Sequence, residues 1–284
     1  MRKLINVFVF TVITAFAGQA QLKTPAPSPT QYIKQDFGLG TIELSYSRPA
    51  MKGRTIMGDL VPYGKVWRTG ANQATTLNFT DEVIIGGTKI PAGKYGLVSI
   101  PGATEWTFII TKQLDITSPA AYKQENDVVR VKAKSRLVAT TAQSFTMQFV
   151  NVTAFKCELQ LQWDKTVVGL PISNDIDAKV MAQIDQQING DGDEAKKPYS
   201  SAAQYYLDNG KDLNKALTWF DKAAAQNPKA FWVMHNKAKC EAKLGKKKEA
   251  IASANKSIEL AKEAKNDDYV ALNKKLLATL GVKG

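Results

Sequence analysis

From about Gln31 to Ile172 the chain repeatedly alternates apolar with polar residues. That period of two belongs to strands with one buried face and one wet face. Ile42, Leu44 and Tyr46 alternate with Glu43, Ser45 and Ser47, and Leu77 and Phe79 with Thr76, Asn78 and Thr80. Phe145, Met147 and Phe149 alternate with Thr146 and Gln148, and Leu159, Leu161 and Trp163 with Gln160 and Gln162. Trp106, Phe108 and Ile110 enclose Ile109 as well as Thr107, which predicts a more deeply buried strand. Shorter runs at 83–85, 95–100 and 128–138 complete the set, with Pro91-Ala92-Gly93 and Pro101-Gly102 as turn signals between them. Many short strands without the periodicity of a crossover helix predict an antiparallel β-sandwich or barrel-like domain over residues 31–172.

The pattern changes after Pro171. Ser173 or Asn174 is placed to cap a helix running to about Ile188, and residues 189–194 read as a loop. Residues 173–197 are therefore expected to be a connecting helix and loop. From Tyr199 to Leu280 the chain is Ala-, Lys- and Leu-rich and helical in period. Lys215-Ala216-Leu217, with Phe220 and Ala223-Ala224 after it, is answered by Glu249-Ala250-Ile251, with Ala254 and Ser257-Ile258. Ala216 and Ala250 are 34 residues apart, the tetratricopeptide period, and small residues there let paired helices approach closely. Asn227-Pro228 ends the first repeat, and Leu244-Gly245 supplies a turn in the second. Residues 198–284 thus resemble tetratricopeptide repeats: an all-α stack of two hairpins and a final helix.

The first residues give an address. Arg2 and Lys3 precede an apolar run from Leu4 to Ala17, and small residues follow at Gly18 and Ala20. This is the grammar of a signal peptide over residues 1–20, cut near Ala20. The run is about 14 residues, short of the roughly 20 that span a bilayer. The expectation is a periplasmic or extracellular protein that does not span a membrane. Residues 21–30 form a Pro-rich leader, read as an extended tether.

Composition narrows the chemistry. One histidine and two cysteines among 284 residues exclude a His-rich metal site, a zinc ribbon and a disulfide scaffold. The acids of 189–194 fail the spacing of a calcium-binding loop. No metal or cofactor is expected. A Ser-His-Asp triad cannot form in the β domain, since His235 lies in the helical half. Cys157 and Cys240 fall in different predicted domains and are expected as buried free thiols. Asp36, Glu43, Asp59, Asp81, Glu82 and Glu105 are available for two-carboxylate chemistry, but no spacing singles out a pair. The net charge is +12, yet beyond residue 191 every base is Lys on a helical pattern without interleaved aromatics. No nucleic-acid partner is expected.

The most informative stretch follows Tyr46. Tyr46-Ser47-Arg48-Pro49, Lys52-Gly53-Arg54 and Gly58-Asp59-Leu60-Val61-Pro62-Tyr63-Gly64 lead to Val66-Trp67-Arg68-Thr69-Gly70-Ala71-Asn72. Ile90-Pro91-Ala92-Gly93-Lys94-Tyr95 and Ile100-Pro101-Gly102 come later. Over roughly residues 29–172 this series resembles the DUF2911 family of exported bacterial proteins of unknown function. The resemblance implies an origin in Bacteroidetes, an extracytoplasmic address and, often, a C-terminal tetratricopeptide region. It implies no activity. Family members often carry Glu after the Gly-Ala-Asn, where this chain has Gln73.

An excursion of about 28 residues between two strands is long for a compact domain, and such segments often carry function. It holds Arg48, Lys52, Arg54, Lys65 and Arg68 against Asp59 alone. Two roles are open. Arg48, Arg54, Trp67, Arg68 and Asn72 could line a shallow site for an anionic or sugar-like ligand, since guanidinium forks suit oxyanions and an indole stacks on rings. Alternatively, Arg48 and Arg68 brace the loop by bonding backbone carbonyls while Trp67 plugs the core. The function expected from the whole is an exported, non-enzymatic binding or scaffold protein, with protein or peptide bound by the helical repeats and an anion or glycan at the β-domain loop. The alternative is an envelope glycan-acting hydrolase or lyase using the Arg/Trp loop.

Overall fold

The computed structural model describes residues 24–282, so the leader expected over residues 1–20 lies outside the described residues. The chain divides into two units, residues 1–175 and 176–284. The N-terminal unit is built of antiparallel strands and the C-terminal unit of six α-helices.

Two sheets make up the N-terminal unit. In one, β1 (Thr30–Phe37), β2 (Gly40–Ser47), β3 (Thr75–Phe79), β6 (Gly93–Ile100), β7 (Glu105–Thr111) and β8 (Asp127–Lys134) follow each other in that order. In the other the order is β5 (Thr88–Ile90), β4 (Val83–Ile85), β10 (Lys156–Ser173) and β9 (Arg136–Val150). Ile42, Leu44, Leu77, Phe79, Phe108 and Ile110 of the first sheet share one hydrophobic core with Phe145, Met147, Leu159, Leu161 and Trp163 of the second. The alternation predicts these inward residues because successive side chains of a strand point to opposite faces.

β6 and β7 depart from strict alternation, with consecutive buried residues. Their second face is also covered. Val98 and Ile109 form a small separate cluster with Ala74 and Ile116, packed by Ile100 at the end of β6 and by Val66 and Tyr122 from loops. Such covering removes the wet face that alternation presupposes.

Two local expectations are corrected. The run at 128–138 is two strands, because the chain turns at Ser135, whose N–H donates to Thr104 O at 2.9 Å. Ser173 is not a helix cap: it ends β10, where it pairs with Ile84, and α1 (Asp177–Asn189) starts later, after Ile176. β1 begins the β region, with exposed and half-buried residues alternating along it. It lies at a sheet edge, where Thr30, Tyr32, Lys34 and Asp36 face water. The Pro-rich leader is also tied down at its end, because Arg48 N–H donates to Pro29 O at 2.9 Å.

In the C-terminal unit α2 (Tyr199–Asp208), α3 (Leu213–Gln226), α4 (Phe231–Lys243), α5 (Lys247–Glu263) and α6 (Asp267–Thr279) pack each on the next. α2 also meets α4, and α4 meets α6. Ala216 and Ala250, the repeat-related positions, are fully buried. Apolar residues of α1, Met181, Ile184 and Ile188, pack on the core of Tyr199, Ala203, Tyr206, Leu207, Trp219 and Phe220. Cys157 and Cys240 are both buried and free, one in each unit. Burial pushes the Cys157 thiol up to about 12, so it is neither charged nor nucleophilic at neutral pH.

Glu194, in the turn before α2, joins three elements. Its carboxylate accepts from the Tyr199 hydroxyl, from Lys222 Nζ of α3 at 2.9 Å and from Lys197 Nζ at 3.1 Å. These donors favour the charged form and hold its carboxyl down at about 2, below the ordinary 4.5. A carboxyl depressed in the folded state contributes stability that is present above its unfolded value and lost as pH falls. Glu194→Gln should therefore be less stable than the parent at pH 7. Urea midpoints should converge as pH drops from about 4.5 towards about 2. A gap that stays constant with pH would show that the carboxylate charge plays no part.

Candidate ligand-binding site

The excursion between β2 and β3, residues 48–74, is pinned to both sheets. At its start, Phe145 N–H of β9 donates to Pro49 O at 2.9 Å and Met51 N–H donates to Gln143 O at 2.8 Å. Near its end, Trp67 and Ser99 of β6 exchange both backbone hydrogen bonds, at 2.7 and 2.9 Å. Gly64 N–H donates to Pro101 O at 2.8 Å between these anchor points. Ile56 and Val61 enter the shared core.

Trp67 is the wedge. Its indole stacks on Trp163 of β10 with centroids 6.0 Å apart and planes at 19°. It meets Phe145 of β9 at 5.0 Å and Trp106 of β7 at 6.1 Å, both edge-on. One side chain from a loop thus contacts aromatic residues of both sheets.

The return to β3 is a tight polar turn. Thr69 Oγ1 donates to Ser99 Oγ at 2.9 Å, and Thr75 Oγ1 donates to Thr69 O at 2.6 Å. Gly70 takes φ +153°, and a Cβ there would lie 3.1 Å from Ser47 O and 3.2 Å from Thr75 Oγ1. Only glycine meets both the dihedral and the space.

Each of the three arginines bonds a main-chain carbonyl. Arg48 Nε donates to Phe145 O at 3.2 Å and its Nη2 to Thr146 Oγ1 at 3.0 Å. Arg54 donates from Nε to Met51 O at 2.9 Å and from Nη2 to Ala50 O at 2.6 Å. Arg68 Nη1 donates to Thr117 O, which ties the excursion to the loop between β7 and β8. Asn72 Nδ2 donates to Ser28 O at 3.1 Å and fastens the end of the leader.

Beside Trp67 lies a cavity of about 560 Å³, within the size range of pockets for small organic ligands. Its walls are Pro49, Leu60, Val61, Pro62, Val66, Ala71, Pro119 and the indoles of Trp67 and Trp163, with Gly70 and Ser28. Three cations, Arg54, Lys65 and Arg68, complete the lining, and no aspartate or glutamate does. Among the described residues none of the three is in an ion pair. Arg68 Nε is buried without a hydrogen-bond partner.

The structure brings Arg54, Trp67 and Arg68 together on this cavity, and places Arg48 and Asn72 elsewhere. Arg48 is drawn to β9 and Asn72 to the leader. The sequence-based site omits Lys65, which is counted among the cations of the excursion and stands two residues before Trp67. Nothing in the local sequence marks Pro119 or Trp163, which come from a distant loop and strand.

The wedge and the brace make a prediction. Trp67→Ala should cost about 3–5 kcal/mol, the range for deleting a packed aromatic. Arg48→Ala should cost about 1.5–3 kcal/mol through its charge-assisted hydrogen bonds. Lys65→Ala, which breaks no bond, should stay within about 0.5 kcal/mol of the parent. Urea unfolding of the three variants checks the order, and a Trp67→Ala variant as stable as Lys65→Ala would contradict it.

Comparison with known proteins reaches the unit that holds this cavity. No curated protein and no solved structure matches the chain. A family model, described as a protein of unknown function, matches residues 28–172 and stops before the helices. That match spans the strands, the excursion and every residue lining the cavity, more than half of the chain. The chain therefore belongs to the DUF2911 family.

Proposed function

We propose that this chain is an exported, non-enzymatic binding protein whose β unit takes a small anion into the cavity beside Trp67. The observation that carries this reading is the lining itself: three cations without a carboxylate among them, set into apolar walls. Arg54 and Lys65 are exposed and Arg68 is half-buried, and a ligand oxyanion would gain charge-assisted hydrogen bonds from these cations. A hydrolase or lyase acting on glycans would need a general acid and base at the bound sugar. The lining offers neither a carboxyl group nor a histidine, which disfavours two-carboxylate glycoside hydrolysis there.

The same reading takes the β unit as a β-sandwich, supported by the core that its two sheets share. The C-terminal helices are taken as tetratricopeptide-like hairpins. The 34-residue spacing of the buried Ala216 and Ala250 and the contacts of α2 with α4 and of α4 with α6 support this. Such a stack offers a groove for a peptide or protein segment. The periplasmic or extracellular address rests on the leader sequence.

The test is titration calorimetry of the chain with trigalacturonate, a sulfated disaccharide and decanoate. At least one of these anions should bind at one per chain, and Lys65→Glu should weaken that binding at least tenfold. Raising the salt from about 0.05 to about 0.5 M, which shortens the screening length about threefold, should weaken it too. No binding of any anion, or binding indifferent to Lys65→Glu, would sink the proposal.

A further inference from the structure

The cavity's walls say more about the ligand than its charge does. Resting on the anion-binding reading above, we infer that the ligand is an amphipathic carboxylate, an acid with an apolar alkyl or aryl body, and not a sugar acid.

The first ground is the imbalance between donors and acceptors. A sugar presents many hydroxyl groups, and each needs an acceptor when it leaves water. The only side-chain acceptor in the lining is the hydroxyl of Ser28. The other polar side chains, Arg54, Lys65, Arg68 and the two tryptophans with their indole N–H, are donors only. A polyol set against this lining would find one side-chain acceptor for its many hydroxyl protons. A carboxylate presents acceptors alone, and so matches the donors that are present.

The second ground is the material of the walls. Pro49, Leu60, Val61, Pro62, Val66, Ala71 and Pro119 have no side-chain polar atom. Leu60 is 41% exposed, an apolar side chain at the cavity with much of its surface in water. An apolar ligand body removes this surface from water, at about 25 cal/mol per Å². A sugar ring would cover it less well, because its own edges are hydrated.

The third ground is where the charges are held. Arg54 is fixed by bonds from Nε and Nη2 to Met51 O and Ala50 O, so no ordering of that side chain is needed at the moment of binding. Arg68 is held by Thr117 O and carries a buried Nε without a partner. Lys65 makes no ion pair among the described residues. A carboxylate met by these cations, with its body against Leu60, Val61 and the two indoles, uses both halves of the site.

The probes are decanoate, its uncharged counterpart decanol, and trigalacturonate, titrated into the full chain by calorimetry below micellar concentrations. Decanoate should bind at one per chain, at least tenfold tighter than decanol and at least tenfold tighter than trigalacturonate. Lys65→Glu should weaken decanoate at least tenfold while leaving the unfolding midpoint unchanged. Leu60→Asn should weaken decanoate severalfold without affecting any weak binding of inorganic sulfate. Trigalacturonate binding where decanoate does not would overturn this inference and leave the anion-binding proposal standing. Decanol binding as tightly as decanoate, or none of the three binding, would overturn this inference; the anion-binding proposal falls with it only if the sulfated disaccharide also fails to bind.

Discussion

The N-terminal unit depends on a single insertion. The indole of Trp67 passes from a 27-residue excursion into the space between two sheets and touches Trp106 on one, Phe145 and Trp163 on the other. A chain that long without strands or helices gives up much conformational entropy when it is ordered. What offsets that loss is concentrated at a few points: the aromatic wedge, the backbone exchange with Ser99, and Ile56 and Val61 in the core. Because these points lie on different sheets, the excursion also ties the sheets to each other.

Structure and chemistry are therefore hard to separate in this segment. Arg54 and Arg68 brace main-chain carbonyls and also line the cavity. A guanidinium has five N–H donors in a fixed fork, so spending some on the protein leaves others for a ligand. Bracing and binding are commonly posed as alternatives for a loop arginine. Here the brace fixes the charge in place without withdrawing it from the cavity lining. Arg48 differs, because its donors go to β9 and it does not reach the cavity.

The helical unit is held by other means. Fully buried alanines at 216, 250 and 254 let helix axes come close, and the aromatic core of Tyr199, Tyr206, Trp219 and Phe220 fills what remains. Between α4, α5 and α6 a chain of polar groups is paired. Asn273 donates to Ser257 Oγ at 2.8 Å, Ser257 donates to Phe231 O at 2.6 Å, and His235 Nδ1 lies 2.9 Å from Asn273 Oδ1. Burial lowers the pKa of this histidine, which stays neutral near pH 7. The one histidine of the chain is thus a packing residue.

Alternation of apolar and polar residues was enough to determine most of the strands, because a strand with one wet face writes its geometry into every second residue. The 34-residue spacing of Ala216 and Ala250 likewise announced the helices of the second half. Where a face was covered on both sides, as in β6 and β7, or bare at an edge, as in β1, the pattern blurred and boundaries moved. Residue type alone marked the excursion as cationic and aromatic, and Arg54, Trp67 and Arg68 were legible there. Only the tertiary structure decided which arginines share a cavity, since that depends on which carbonyl each guanidinium finds. Pro119 and Trp163 reach the same space from 50 to 100 residues away along the chain, on the order of the separations that only folding closes. No local pattern records such a meeting, because the sheets that bring it about are themselves products of long-range pairing.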